Sequence, residues 1–192
     1  MRIVIAEDET IIRTDLKEIL LQSGNEVVGE ARNGADALAL VRLLQPDCVF
    51  MDVRMATEED GLEAARVICE ENLCAVVMLT AFAQESIVQK AVDAGVAGYV
   101  VKPFSKRDIL PALEVATSRF KVSQALIDEI SQLEKKLEDR KLIDKAKGLL
   151  MQKGMSEEEA FSTLRKTAMN NRTSLKAVAQ AIILSDQISL SD

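Results

Sequence analysis

Residues that could hold a metal ion and a phosphoryl group follow four short apolar segments of the chain. Glu7 and Asp8 follow the first segment, and Asp52, Thr80 and Lys102 come directly after three others. Carboxylates crowded into a small space repel one another, and a hard divalent cation with oxygen ligands relieves that repulsion. Mg²⁺ is the usual cation beside phosphate. These residue types therefore predict a site for Mg²⁺ and a phosphoryl group, provided that the fold brings them together.

The apolar segments that precede these residues are predicted to be buried β-strands. They are rich in Val and Ile, and segments with helical spacing of apolar residues lie between them. Near-continuous apolar strands that alternate with amphipathic helices are typical of a parallel sheet covered on both faces. Ligands of such α/β folds bind outside the carboxyl ends of the strands, where the candidate residues lie. The five predicted strands are Ile3–Ala6, Glu26–Gly29, Cys48–Met51, Ala75–Leu79 and Gly98–Val101.

The composition excludes several classes of protein. The chain has 192 residues, of which 48% are hydrophobic and 29% charged, so it can bury a core and is not predicted to be disordered. It contains no histidine, which excludes catalysis by a histidine base, a histidine phosphoacceptor and a histidine metal ligand. Its three cysteines form no CxxC pair, and no segment approaches the roughly 18 apolar residues of a membrane span. We expect a cytoplasmic protein without membrane association.

The charge distribution predicts two domains. Residues 1–118 contain 11 basic and 20 acidic residues, whereas residues 119–192 contain 13 basic and 11 acidic residues. An acidic first domain followed by a smaller, slightly basic one agrees with the length of the chain. The candidate metal site belongs to the first of these domains.

Four motifs of the first domain resemble those of the receiver domain of two-component response regulators. The resemblance spans residues 1–118, with the motifs in the family's order. They are Ala6-Glu7-Asp8-Glu9, Met51-Asp52-Val53-Arg54-Met55, Leu79-Thr80-Ala81 and Val101-Lys102-Pro103-Phe104. The resemblance implies a CheY-like fold with a doubly wound five-stranded parallel sheet. It also implies that a cognate sensor histidine kinase donates the phosphoryl group.

The same resemblance assigns a role to each candidate residue. It implies a cis peptide bond between Lys102 and Pro103. The sequence departs from the family pattern in two places. Ala56 replaces the family's proline, and the segment from Asp52 to Gly61 is one residue longer. Because this loop donates a carbonyl oxygen to the metal, the resemblance does not fix the metal affinity or the rate of dephosphorylation. The implied site consists of the phosphoacceptor Asp52, the Mg²⁺ ligands Glu7, Asp8, Asp52 and the backbone carbonyl of Arg54, and the phosphoryl-binding residues Thr80 and Lys102.

The resemblance further implies an aromatic switch at Tyr99. A phosphoryl group would draw the Thr80 hydroxyl toward it, and Tyr99 would turn inward. This movement would remodel a face formed by a predicted helix at Glu85–Ala94, the strand Gly98–Val101 and the helix that follows Ser105. The alternative for Tyr99 is an ordinary aromatic residue of an edge strand.

A long helix is predicted to connect the two domains. From Ser105 to about Lys147 the chain contains no glycine, and its one proline, Pro111, lies within the first two helical turns. An apolar stripe with 4-3-4 spacing and charged neighbours suggests a two-stranded coiled coil at 119–140 and therefore a homodimer. The alternative is a helix that packs on its own domain. The stripe consists of Leu126, Ile130, Leu133 and Leu137.

The second domain combines a basic surface with motifs of a known RNA-binding module. Residues 140–176 contain nine basic and four acidic residues, a surface suited to an anionic partner but also typical of a solvated face. Its motifs resemble the ANTAR domain, a three-helix RNA-binding antitermination module, over residues 129–190. They are Ile143-Asp144-Lys145-Ala146-Lys147-Gly148-Leu149-Leu150-Met151, Ala160-Phe161, Ala168-Met169 and Val178-Ala179.

Individual residues of this domain receive two kinds of role. Regular A-form RNA hides its base edges, so sequence-specific proteins read unpaired loops with polar and basic side chains. The expected RNA contacts are Lys145, Lys147, Arg165, Arg172, Thr173 and Lys176. The residues expected to pack the three helices together are Ala146, Ala160, Phe161, Ala168 and Ala179.

The combined resemblance predicts a phosphorylation-activated antiterminator. The combination of domains is most similar to the ethanolamine-utilisation antiterminators. Phosphorylation would increase the population of homodimers, which would bind paired RNA hairpins in a nascent transcript with higher avidity. The alternative is a DNA-binding response regulator, although the chain shows no helix-turn-helix spacing after Arg119. An enzymatic output is not expected, because residues 119–192 contain no cysteine, histidine or paired acids, so the predicted chemistry is phosphoacceptance with intrinsic autodephosphorylation.

Overall fold

The computed structural model describes residues 1–57, 59–81 and 95–189. The chain divides into two compact units, Met1–Ala125 and Leu126–Asp192. The helix predicted at Glu85–Ala94 lies outside the described residues. In the part of the chain that is described, no helix combines the length and the apolar character needed to cross a membrane.

The first unit contains a parallel sheet of five strands. Their order is β2-β1-β3-β4-β5, and every neighbouring pair is parallel. This arrangement confirms the predicted doubly wound α/β fold. The strands are β1 (Arg2–Ala6), β2 (Glu26–Ala31), β3 (Cys48–Asp52), β4 (Ala75–Thr80) and β5 (Gly98–Val101), and the first four described helices are α1 (Thr10–Gln22), α2 (Gly34–Leu44), α3 (Asp60–Glu70) and α4 (Lys106–Gln152).

The two faces of the sheet bury separate apolar cores, because successive side chains of a strand point to opposite faces. Val4 and Ala6 of β1 belong to the core covered by α2 and α3. Ile3 and Ile5 belong to the core covered by α1 and the first turns of α4. The central strands β3 and β4 are buried at every position. Helices on both faces thus fix the carboxyl ends of the strands at one edge.

Local signals in the sequence set both ends of α2. The side chain of Asn33 accepts a hydrogen bond from the backbone N–H of Asp36 and so caps α2. Gln45 adopts the left-handed conformation with a φ of 46° and ends that helix. These local signals set the lengths of the elements that surround the site.

Helix α4 continues four residues beyond the glycine at which the sequence suggested that it ends. Pro111 lies in its second turn, as predicted. Gly148 lies inside the helix, which ends at Gln152 before Gly154, a residue with a φ of +95°. A glycine in a helix interior costs about 1 kcal/mol relative to alanine. Ala146 and Leu150, two residues before and after Gly148, belong to the core of the second unit.

The second unit packs the end of α4 against α5 (Glu157–Asn170) and α6 (Leu175–Ser189). A capping box begins α5, because Ser156 and Glu159 exchange side-chain to backbone hydrogen bonds. The helix ends at Asn170, and Asn171 is its C-cap. The core contains Ala146, Leu164, Ala168, Val178 and Ala179.

The predicted packing role of the small residues is confirmed, but that of Phe161 is wrong. Ala160, Leu164 and Ala168 recur every fourth residue, so they form the buried face of α5. Phe161 lies one residue further along and therefore points to an adjacent face. Its side chain is 44% exposed. An aromatic ring that we expected in the core is thus on the surface.

Candidate functional site

The carboxyl ends of the parallel strands bring four of the predicted site residues together. Carboxylate oxygens of Glu7, Asp8 and Asp52 all lie within 4.8 Å of one another. The Nζ atom of Lys102, the residue after β5, lies 2.8 Å from Asp52 Oδ2 and 2.5 Å from Glu7 Oε2. Residues from three parts of the chain, at positions 7–8, 52 and 102, therefore form one cluster.

Burial shifts the pKa values of the charged residues in this cluster. Glu7 is fully buried and Asp52 is 6% exposed. Burial raises the pKa of Glu7 to about 7, although a hydrogen bond from Lys102 opposes the effect. Burial lowers the pKa of Lys102, but its hydrogen bonds to Asp52 and Glu7 outweigh burial and raise it above the usual value. One ammonium group is thus shared by two buried carboxylates, which leaves excess negative charge.

The donor set fits Mg²⁺. Three carboxylates supply only oxygen atoms, the ligands that a hard divalent cation prefers. Their separation allows one ion to contact all three. A cation there would also neutralise the negative charge that Lys102 leaves uncompensated.

Arg13 holds the backbone of the acidic segment, a role that the sequence analysis missed. Its guanidinium is largely buried, and Nη1 donates hydrogen bonds to the carbonyl oxygens of Glu7 at 2.7 Å and Asp8 at 3.3 Å. Its Nε atom pairs with Glu30 Oε2 at 3.2 Å. The signal available in the sequence was a basic residue on the apolar face of α1, in line with the buried Leu16. Buried charges of this kind are normally paired.

Helix α3, which follows β3, approaches the backbone of Asp52 closely. A Cβ atom on Gly61 would lie 1.7 Å from the carbonyl oxygen of Asp52. Asp60 Oδ2 accepts hydrogen bonds from the backbone N–H groups of Gly34 at 2.7 Å and Ala56 at 3.4 Å. Only a residue without a side chain fits at position 61.

The remaining predicted residues of the first unit lie at or near the same edge of the sheet. Thr80 is buried at the end of β4, and its carbonyl oxygen accepts a hydrogen bond from the N–H of Lys102 at 2.8 Å. The Lys102-Pro103 peptide bond is cis, as predicted. Tyr99 of β5 is 50% exposed and pairs in register with Met78. Arg54 is exposed in the segment after β3.

The basic residues of the second unit fall into two groups. Lys147 forms ion pairs with Asp144 and Glu157, and Lys176 pairs with Asp139 at 2.7 Å. The residues of the other group are exposed and form no ion pair with any described residue. They are Lys135, Lys136, Lys141, Lys145, Arg165, Lys166 and Arg172, of which Lys145, Arg165 and Arg172 were expected RNA contacts. Arg140, which pairs with Asp144, and Lys153, which pairs with Asp186, belong to the first group.

The folds of the two units and the acidic cluster identify the class of protein. A parallel α/β sheet with three clustered carboxylates and a lysine at its carboxyl edge is the architecture of a receiver domain. The response regulator receiver domain family matches residues 3–114, and the ANTAR domain family matches residues 131–183. The chain therefore belongs to the response regulators that combine a receiver domain with an ANTAR output domain.

Individual relatives agree with this assignment. The transcriptional regulatory protein PdtaR of Mycobacterium tuberculosis is 47% identical over 183 residues, which cover 95% of this chain and 89% of PdtaR. The chemotaxis protein CheY of Bacillus subtilis is 39% identical over 113 residues, 58% of this chain and 93% of CheY. The solved signal receiver domain of the putative response regulator NarL from Mycobacterium tuberculosis has a TM-score of 0.58 and 31% identity, covering 61% of this chain and 95% of that domain.

Proposed function

We propose that this response regulator accepts a phosphoryl group on Asp52 from a cognate sensor histidine kinase and thereby controls RNA binding by its ANTAR domain. The observation that carries the proposal is the nearly buried Asp52 carboxylate, 2.8 Å from Lys102 Nζ and clustered with Glu7 and Asp8. The proposed functional division is a receiver domain at 1–118, a linker at 119–140 and an overlapping RNA-binding domain at 129–190. Its proposed location is the cytoplasm, where nascent bacterial transcripts occur.

Phosphoryl transfer would use the geometry of the cluster. A carboxylate oxygen of Asp52 attacks phosphorus while the bond from phosphorus to the donor's histidine nitrogen breaks, and the electron pair of that bond stays with the imidazole. Lys102 moves from its carboxylate pair to a phosphoryl oxygen. Glu7, Asp8, Asp52 and the carbonyl of Arg54 would hold Mg²⁺, which supplies neutralisation of the negative charge on the transferred oxygens.

The loss of the phosphoryl group would be intrinsic to the receiver. Water attacks the phosphorus of the Asp52 acyl phosphate, and the carboxylate leaves. Ala56 belongs to the longer loop between Asp52 and Gly61. The backbone N–H of Ala56 donates a hydrogen bond to Asp60 Oδ2 at 3.4 Å. We propose that this loop sets the rate of autodephosphorylation.

The output would depend on a homodimer that forms when the protein is phosphorylated. The Thr80 hydroxyl binds a phosphoryl oxygen, and Tyr99 turns inward as the switch. The dimer forms through the stripe on α4, whose four side chains are each more than half exposed in the single chain. Burial of such side chains stabilises a coiled coil. The stripe consists of Leu126, Ile130, Leu133 and Leu137.

The proposed target is a pair of RNA hairpins in a nascent transcript. Two weakly binding ANTAR domains that are joined in one dimer bind paired hairpins as a bivalent unit, so avidity rises without new contacts. RNA binding upstream of a terminator favours the antiterminated fold, and transcription continues. The leader transcripts of ethanolamine-utilisation genes are the first candidate targets, because the combination of domains resembles those antiterminators.

The test compares RNA and DNA binding before and after phosphorylation. Purified protein is treated with acetyl phosphate and Mg²⁺, and its mass is measured by sedimentation together with its affinity for paired hairpin RNA and promoter DNA at one salt concentration. We expect phosphorylation to increase both the dimer fraction and the RNA affinity, and D52N to abolish both responses. Tighter binding to DNA would support the alternative of a DNA-binding regulator. Equal RNA affinity of the unphosphorylated and phosphorylated proteins would contradict the proposed control.

A further inference from the structure

The second unit contains an open groove where its three helices meet, and we call it the helix-junction groove. Its cavity volume is about 530 Å³. Apolar atoms form its floor, contributed by Leu150 of α4 and by Val178 and Ile182 of α6. Ala177 and Ala181 of α6 also line it and are exposed. Small side chains at these two positions let a flat ligand approach the helix closely.

The rim of the groove carries polar groups that the protein leaves available. Thr167, Asn171 and Thr173 line it. Among the described residues, no group forms a hydrogen bond with either threonine hydroxyl. The Nδ2 atom of Asn171 donates to the carbonyl oxygen of Thr167 at 3.0 Å, so the amide oxygen and a second N–H remain for a ligand. Unused hydroxyl and amide groups around an apolar floor suit a ligand with apolar faces and a polar edge.

The charge around the groove indicates an anionic ligand. From Ala160 to Ser185, which includes most of α5 and α6, the chain contains four basic residues and no acidic one, and three of the four form no ion pair with a described residue, whereas Lys176 pairs with Asp139. Lys153, which lines the groove, pairs with Asp186 at 3.3 Å, so this pair adds no net charge. Arg172 lies between two rim residues, is exposed and has a φ of 50°. An unpaired nucleotide combines all three properties, because its base has apolar faces and a hydrogen-bonding edge and its phosphate is an anion.

A protein helix fits the groove less well than a nucleobase. An apolar helix that covered the floor would bury the hydroxyls of Thr167 and Thr173 without partners, which costs free energy. The two exposed floor positions are alanines, which offer a partner helix little apolar surface. An apolar helix also offers no ionic partner to Arg165, Lys166 and Arg172, which form no ion pair with any described residue.

Resting on the RNA binding proposed above, we propose that the helix-junction groove receives one unpaired nucleobase of the RNA loop. The base packs one face on Ala177 and Ala181, and its edge forms hydrogen bonds with Asn171 and Thr173. Arg172 contacts the adjoining phosphate. The groove would thereby determine which base is accepted, whereas the other exposed basic residues contribute affinity that does not depend on sequence.

The test fills the groove and removes the base. A pool of hairpin RNAs with a fixed stem and a randomised loop is selected on the phosphorylated full-length protein, and each loop position of the selected RNA is then made abasic. A181L places a larger side chain in the groove. The matched control, Q180L, adds the same side chain at an exposed neighbouring position that does not line the groove. Circular dichroism confirms that both variants remain folded.

We expect A181L to weaken RNA binding by about 5- to 150-fold, the loss associated with one stacked base, and Q180L to bind as the wild type does. We also expect one abasic position to cause a similar loss in the wild type and almost no further loss in A181L. T173V, which removes a rim hydroxyl, should change which base is preferred at that position.

Several outcomes would overturn the groove proposal. They include wild-type RNA binding by A181L, additive losses from A181L and every abasic position, and an effect of A181L on dimer mass rather than on RNA. A failure of the wild-type protein to bind any hairpin would instead contradict the proposed function. The two failures are therefore distinguishable.

Discussion

Replacement of Gly61 by alanine tests whether close contact between α3 and Asp52 shapes the phosphoacceptor site. The added Cβ would lie 1.7 Å from the Asp52 carbonyl oxygen. Nonbonded carbon atoms and their neighbours normally lie about 3.5 Å apart, so the two backbone segments would have to separate by roughly 1.8 Å. That displacement exceeds the roughly 0.5 Å within which catalytic groups must be held.

The displacement should lower both the free energy of unfolding and the rate of phosphorylation. Overpacking of this kind destabilises a protein by about 1 to 3 kcal/mol. A misplacement of about 1 Å slows a reaction roughly 100-fold, so we expect G61A to incorporate phosphate from acetyl phosphate at least that much more slowly. Chemical denaturation followed by circular dichroism measures the first effect, and radiolabelled phosphate measures the second.

Gly148 provides a control with the same chemical change. It lies inside α4, and a Cβ added there would meet no atom within 4 Å. G148A should therefore stabilise the protein by up to about 1 kcal/mol, because alanine is the better helix former. The phosphorylation rate should not change. Wild-type stability and phosphorylation in G61A, or equal destabilisation in both variants, would refute the argument from close contact.

Three further expectations follow from contacts and burial in the two units. R13M should weaken Mg²⁺ affinity about 10- to 100-fold, because it removes the hydrogen bonds to the carbonyl oxygens of Glu7 and Asp8. Calorimetric titration with Mg²⁺ measures this affinity, and an unchanged value would contradict the positioning role of Arg13. R172A should reduce RNA affinity and lower the slope of log affinity against log salt concentration by about 1. K147A should reduce both quantities less, because Lys147 is already paired with two carboxylates. Binding titrations at several salt concentrations measure both effects, and a larger effect of K147A than of R172A would contradict this reasoning. Burial raises the pKa of Cys69 to about 11, so only about one thiol in a thousand is ionised at pH 8. Alkylation of Cys69, followed by mass spectrometry, should therefore be slow in the native protein and rapid in denaturant. Equally fast alkylation in both conditions would contradict the burial of Cys69.

The cluster of site residues was predictable because the geometry of a parallel sheet determines it. Residues that follow parallel strands meet at one edge, so Asp52 and Lys102 could be placed together from the strand pattern alone. The capping box at Ser156 was predictable for a similar reason, since its partners lie three residues apart. In both cases the decisive contacts follow from position within a regular element.

The features that were missed depend on packing between elements. The contact of Arg13 with two carbonyl oxygens requires the mutual placement of α1 and the segment after β1, which no local pattern specifies. The approach of Gly61 to Asp52 similarly requires the packing of α3 against the end of β3. Phe161 was assigned to the core because it is apolar, yet the face of α5 that packs is determined by its smaller neighbours.

A short segment connects Lys102 to α4. Only three residues separate Lys102 from Lys106, where α4 begins. The helix is capped at once, because Asp108 accepts hydrogen bonds from the backbone N–H and hydroxyl of Ser105 at 2.8 Å. Ile109 and Leu113 are buried in the same core as β1 and β3, so the start of α4 is packed against the sheet. If Asp52 is phosphorylated as proposed, a shift of Lys102 toward a phosphoryl oxygen would therefore act close to the start of the helix that carries the proposed dimerisation stripe.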